Sequence, residues 1–167
     1  EIENLVLFRH GKAERPYEAS SDFDRELIER GKYQAYEQAK RLYDLGFRPD
    51  VVLVSSALRA SQTWDAAAPI FQDAQVFITR ELYLASSEIY LQKAITTAKK
   101  NVMIIAHDPG LHDLCKAFLK GAPHDKDHDL LRLEITTAGI AWFKRDEKAK
   151  NKMALFASLR PIPKADI

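Results

Sequence analysis

The chain has 167 residues, 46% of them hydrophobic, with 25 Lys or Arg against 24 Asp or Glu for a formal charge of +1. That length and apolar content suit one globular domain over residues 1–167, and the balanced charge excludes a global field drawing it to nucleic acid or membrane. The single cysteine, Cys115, excludes an intramolecular disulfide framework, and no apolar run approaches the roughly 20 residues needed to span a bilayer.

The opening EIENLVLF carries neither the basic segment nor the cleavage site of a secretory leader, so a cytoplasmic location is expected. Asn4 to Phe8 reads as a short buried strand. The stretch from Asp22 to Asp50 follows as a helix, with Leu27, Ala35, Ala39, Leu42 and Leu45 at mostly helical spacing and a stop at Gly46 and Pro49. DVVLVSS (50–56) is a second buried strand, and ALRASQTWDAAAPIF is helical up to Pro69. VFIT (76–79) is a third strand; SEIYLQKAITTAKK (87–100) is a helix capped by Ser86 or Ser87. NVMIIAH (101–107) is a fourth strand, leading into a helix closed by Gly121. GAPHDKDHD (121–129) reads as a polar surface loop. LLRLEI, GIAWFKR and MALFASL then read as short strands, the last two an antiparallel pair around a charged loop at 145–152. Four alternations of strand and helix predict a three-layer α/β/α sandwich whose mostly parallel central sheet has an antiparallel edge.

Ligands of open α/β sheets bind beyond the carboxyl ends of the strands. Those ends carry Arg9 and His10, then Ser55 and Ser56 with Arg59 just beyond, then Glu81, then His107. Two guanidinium groups on one rim suit a phosphoryl or other oxyanion, which they grip through bidentate hydrogen bonds. The chain has no G-x-x-x-x-G-K-[ST] loop, which argues against a P-loop nucleotidase. His112 reads as a surface or packing residue, and Trp64 and Tyr83 as core or rim aromatics. His124 and His128 have a spacing that could serve a metal on a helix, but Pro123 and the surrounding charges favour a solvated loop, so no metal is expected.

LFRHGKAE, DFDRELIERG, SSALRASQT and IIAHDPGL, in that order, resemble the histidine phosphatase superfamily, which includes the phosphoglycerate mutase-like enzymes. The compact length and the wording of the motifs are most similar to the short bacterial phosphohistidine phosphatases. The resemblance implies a phosphoglycerate mutase-like fold, with His10 as the nucleophile that becomes phosphorylated. Arg9 and Arg59 would clamp the phosphoryl oxygens and His107 would complete the pocket. Glu81 matches the family's proton donor by position, though its surroundings depart from the family motif. Further departures are Glu14-Arg15-Pro16 after the first motif, Ala57 where the family usually has Pro, and Ala60 where it usually has a second Arg. The implied activity is a metal-independent phosphatase without cofactor, acting on phosphohistidine in a protein; the partners would be a phosphorylated protein or small phosphorylated substrate, not nucleic acid or membrane. A phosphatase for small phosphate esters, or a phosphate-dependent binding module without turnover, are the alternatives.

Overall fold

The computed structural model describes residues 1–149 and 151–163. Its strands are β1 (Asn4–Arg9), β2 (Val51–Ser55), β3 (Gln75–Thr79), β4 (Asn101–Ala106), β5 (Ile140–Arg145) and β6 (Met153–Leu159). They form one sheet in the order β3-β2-β4-β1-β5-β6. The first four strands pair in parallel, and β5 and β6 join through antiparallel ladders. Helices α1 (Glu29–Asp44) and α2 (Leu58–Ala67) cover one face; α3 (Ser87–Thr96), α4 (Gly110–Phe118) and α5 (Lys126–Leu133) cover the other. The three-layer α/β/α sandwich predicted from the sequence is therefore the architecture observed.

Alternating residues of the central strands feed opposite cores. Val6 and Phe8 of β1 join Met103 and Ile105 of β4 beneath α1 and α2, while Leu5, Leu7, Val102 and Ile104 pack beneath the other helices. Burial on both faces explains why these strands read as unbroken apolar runs. Register then sets the site: Phe8 and Val54 both stand opposite Ile105. The residues following β1, β2 and β4 consequently emerge at one level of the sheet.

Several boundaries differ from the sequence expectation for identifiable reasons. Helix α1 begins at Glu29, and residues before it form an irregular arm. Within that arm Leu27 bridges Ala13, its N–H donates to Gln62 Oε1 at 2.7 Å, and the Phe23 carbonyl accepts Leu58 N–H at 3.0 Å. At its other end α1 closes as expected: Gly46 at φ 102° lets Phe47 N–H reach the Leu42 carbonyl and Gly46 N–H reach that of Tyr43. Ser86 caps α3 by accepting Ile89 N–H. The predicted loop at 121–129 holds over 121–125, but 126–129 and most of the strand predicted at 130–135 form α5 instead. Asp125 accepts His128 N–H as its cap, acids occupy the first turn and Arg132 the last, all favourable to the helix dipole. Leu131 is buried whereas Leu133, two residues on, is exposed, so the two do not share a face as the apparent strand alternation required. The β5–β6 hairpin forms as predicted; residue 150 of its loop lies outside the described residues.

Backbone contact replaces side-chain contact where β1 leaves the sheet. A Cβ on Gly31, in the first turn of α1, would lie 2.2 Å from the Lys12 carbonyl oxygen, and one on Gly11 would lie 2.7 Å from that of Gly31. The same Lys12 oxygen accepts Ile28 N–H at 3.0 Å. Replacing a helical glycine by alanine ordinarily stabilises a protein by about 1 kcal/mol. Gly31→Ala is expected to reverse that sign and cost about 2 kcal/mol, because the new methyl meets backbone that cannot retreat. A lower urea midpoint at unchanged m-value is the measurement that checks it.

Candidate active site

A cavity of about 480 Å³ opens at the carboxyl ends of β1, β2 and β4 and is lined by Arg9, His10, Arg59 and His107. Four of the five residues singled out from the sequence are thus brought together. The fifth, Glu81, is not: it lies in a short 3₁₀ turn (Arg80–Leu82) and pairs with Lys93 of α3 at 2.5 Å, with 65% of its side chain exposed. The carboxylates on the cavity wall are instead Asp22 and Asp108.

His10 follows β1 and is 7% exposed. Its Nδ1 lies 2.7 Å from the Gly11 carbonyl oxygen; since that oxygen only accepts, Nδ1 carries the proton and Nε2 holds the lone pair. Arg59 Nε points at Nε2 from 3.4 Å. Burial, chiefly, lowers the His10 pKa from 6.5 to about 3, aided by His107, Arg59 and Arg9 and opposed by the Gly11 hydrogen bond. His107 is lowered to about 3 as well, again by burial first and then by Arg59. Its Nε2 lies 2.7 Å from Ser55 Oγ, and its ring centroid is 5.3 Å from that of His10. The two imidazoles are therefore neutral at physiological pH.

The arginines are held differently. Arg9 Nη1 donates to the Ile135 carbonyl at 2.9 Å and lies 3.4 Å from Asp108 Oδ2. Among the described residues, buried Arg9 Nε and buried His107 Nδ1 have no hydrogen-bond partner. Arg59, 3% exposed, donates from Nη1 to the Asp22 carbonyl at 2.6 Å and from Nη2 to Asp22 Oδ2 at 3.1 Å. The same carboxylate accepts Tyr83 O–H at 2.5 Å and Arg25 Nη1 at 3.0 Å. Partial burial raises the Asp22 pKa, but the bonds from Tyr83, Arg25 and Arg59 outweigh it and hold this carboxyl below the usual range. Burial pushes Asp108 the other way, upward, against the pull of Arg9.

Lys12, Asp22, Arg25, Leu84 and Asp108 also line the cavity and were not singled out in the sequence. Asp22 and Arg25 stand in DFDRELIERG, where the period-based helix reading hid an arm that folds over Arg59. Of the remaining candidates, Trp64 is in the core, and His112 Nε2 contacts the Leu131 carbonyl between α4 and α5. His128 contacts Asp125, while His124 contacts Asp129 and Arg132, at or beside α5.

With folded pKa values near 3 against 6.5 unfolded, both imidazoles leave the unfolded chain binding more protons between those limits. Their contribution to stability is expected to be complete above pH 6.5 and to be lost progressively as pH falls toward 3. Ring-carbon NMR should find His10 and His107 neutral from pH 8 to pH 5; a midpoint near 6.5 for either would contradict the burial argument.

Residues 5–83 match the model of the histidine phosphatase superfamily, branch 1. An uncharacterized protein of Picosynechococcus is 30% identical over 121 residues, covering 70% of this chain and 73% of that protein. A candidate phosphohistidine phosphatase SixA of Agrobacterium tumefaciens is 29% identical and superposes with a TM-score of 0.82 over 96% of this chain and 99% of its own. The protein histidine phosphatase SixA, in a structure with tungstate, is 25% identical with a TM-score of 0.74 over 95% and 97% of the two chains. The chain belongs to the histidine phosphatase superfamily, and its sandwich is phosphoglycerate mutase-like.

Proposed function

We propose that the protein is a metal-independent phosphatase whose His10 takes the phosphoryl group from phosphohistidine in a protein and passes it to water. The observation that carries this reading is a neutral imidazole with its Nε2 lone pair unprotonated, in one cavity with two buried nitrogen atoms, Arg9 Nε and His107 Nδ1, that lack partners among the described residues. Such donors, fixed before substrate arrives, stabilise charge on a transferring phosphoryl group without reorganising. His107 Nε2 shares a hydrogen bond of 2.7 Å with Ser55 Oγ, and the tautomer in which the hydroxyl donates leaves the ring proton on Nδ1, where an anion would be bound.

The lone pair of His10 Nε2 attacks phosphorus of a phosphohistidine whose other ring nitrogen has taken a proton from solvent. The bond from phosphorus to the leaving nitrogen breaks, and its electron pair stays with the departing ring, which leaves as neutral imidazole. Positive charge grows on the His10 ring as Nε2 bonds, and the Gly11 carbonyl opposite Nδ1–H stabilises it. Water then attacks phosphorus from solvent, the new P–O bond replaces P–Nε2, and His10 regains its lone pair. Arg9 and Arg59 hold the oxygens throughout, supplying the positive charge a metal ion supplies elsewhere.

The site favours a phosphoramidate over an alkyl phosphate. An alkoxide departs poorly unless protonated, whereas imidazole departs easily. Glu81 is turned to Lys93 and Asp22 is held ionised, so neither stands ready as an acid, and Asp108, which burial shifts upward, is paired with Arg9 at 3.4 Å. The similarity to SixA supports the same substrate class.

Replacing the nucleophile by His10→Ala should abolish phosphate release from a phosphohistidine protein and eliminate acid-labile phosphate on the enzyme. Arg59→Lys should lower kcat/KM on the order of ten- to a thousandfold, since an ammonium lacks the planar fork. Substantial turnover by His10→Ala overturns the mechanism. Glu81→Gln is expected to leave kcat/KM within about twofold on phosphohistidine and alkyl phosphate alike, given its distance from the chemistry; a loss confined to the alkyl phosphate would restore it as the acid.

A further inference from the structure

Among the described residues, three other than glycine adopt a left-handed backbone: Leu84 at φ 51°, and Ala98 and Ala138 at φ 57°. Two of them have evident local reasons. Ala98 ends α3, with its N–H on the Ile95 carbonyl. Ala138 is buried, its N–H donating to the His10 carbonyl at 2.9 Å and its own carbonyl accepting Gln38 Nε2 at 2.9 Å. Leu84 is different. It is 50% exposed and lies on the cavity wall with His10, Arg59 and His107. A left-handed turn position is taken most easily by Gly, Asn or Asp, and an exposed one gives no reason to prefer an isobutyl group.

The chain on both sides of Leu84 is anchored. Tyr83 N–H donates to the Arg80 carbonyl at 2.9 Å, its hydroxyl to Asp22, and its ring stands edge-on to His107 with centroids 5.5 Å apart. Ala85 is buried, and its carbonyl oxygen packs so closely on Gly110 that a Cβ there would lie 2.2 Å away. A strained conformation persists where its surroundings over-determine it, and here they present one apolar side chain to the cavity. Hydrocarbon does nothing for a phosphoryl group, which the arginines serve.

We propose that Leu84 selects the leaving group, packing against a flat ring (the imidazole of phosphohistidine or the ring of an aryl phosphate) and giving no advantage to a small polar alkyl group. This rests on the phosphatase reading above and adds a specificity residue to it. The test compares wild type, Leu84→Asn and Leu84→Met on a phosphohistidine peptide, nitrophenyl phosphate and glycerol phosphate, with orthophosphate as inhibitor. Asn suits the left-handed position but removes the apolar contact; Met keeps the contact. Leu84→Asn should lose about fivefold or more in kcat/KM on both ring substrates, stay within about twofold on glycerol phosphate and in orthophosphate inhibition, and unfold at a midpoint no lower than wild type. Leu84→Met should keep the wild-type preference. Equal loss on all three substrates, or no loss on the ring substrates, overturns the role of Leu84 alone. A wild-type protein that hydrolyses none of the three overturns the phosphatase reading with it.

Discussion

A closed circuit of hydrogen bonds ties the candidate nucleophile to the cation beside it. His10 Nδ1 donates to the Gly11 carbonyl, Gly11 N–H donates to Thr63 Oγ1, Thr63 Oγ1 donates to the Arg59 carbonyl, and Arg59 Nε points back at His10 Nε2. Thr63 is wholly buried, so water does not compete for these bonds. The circuit fixes the imidazole tautomer and the guanidinium position with the same few atoms, and burial keeps the imidazole uncharged beside a permanent cation. A side chain that moved either partner would disturb both, which is why the chemistry depends on the turn after β1 and the first turns of α2 together.

The sheet supplies the other half of the arrangement. Because Phe8, Val54 and Ile105 are level in the ladder, His10, Ser55 and His107 converge without any long loop having to carry them. Loops add the adjustable parts: the arm before α1 brings Asp22 and Arg25, and the turn after β3 brings Tyr83 and Leu84. Asp22 binds the guanidinium groups of Arg25 and Arg59 and the Tyr83 phenol at once, so its negative charge locally offsets the cationic wall. On the proposed mechanism the rigid elements hold the reacting atoms, and the irregular ones face the rest of the substrate.

The fold was legible in the sequence wherever one structural force dominated. Strands buried on both faces announced themselves as apolar runs, and their ends located Arg9, His10, Arg59 and His107. Reading failed where local patterns competed. Leu131, Leu133 and Ile135 mimic a strand, yet the Asp125 cap and the charges along α5 decide for a helix. Leu27 falls into the helical period of α1 but pairs with Ala13 in the arm, which concealed Asp22. Glu81 follows β3 as expected, but β3 is the edge strand, and the turn after it directs the carboxylate outward to Lys93. Position at a strand end does not specify the direction of a side chain.

The approach of Gly11 to Gly31 carries a consequence for how such a sequence can drift. At most packed contacts a larger residue on one side is accommodated by a smaller one on the other, and the two positions change together. Here each glycine meets backbone atoms, the carbonyl of Gly31 in one case and that of Lys12 in the other, and no substitution can shrink a carbonyl. Neither position can therefore compensate for the other. Across descendants of this chain both should remain glycine independently, leaving no correlated exchange to reveal that they touch.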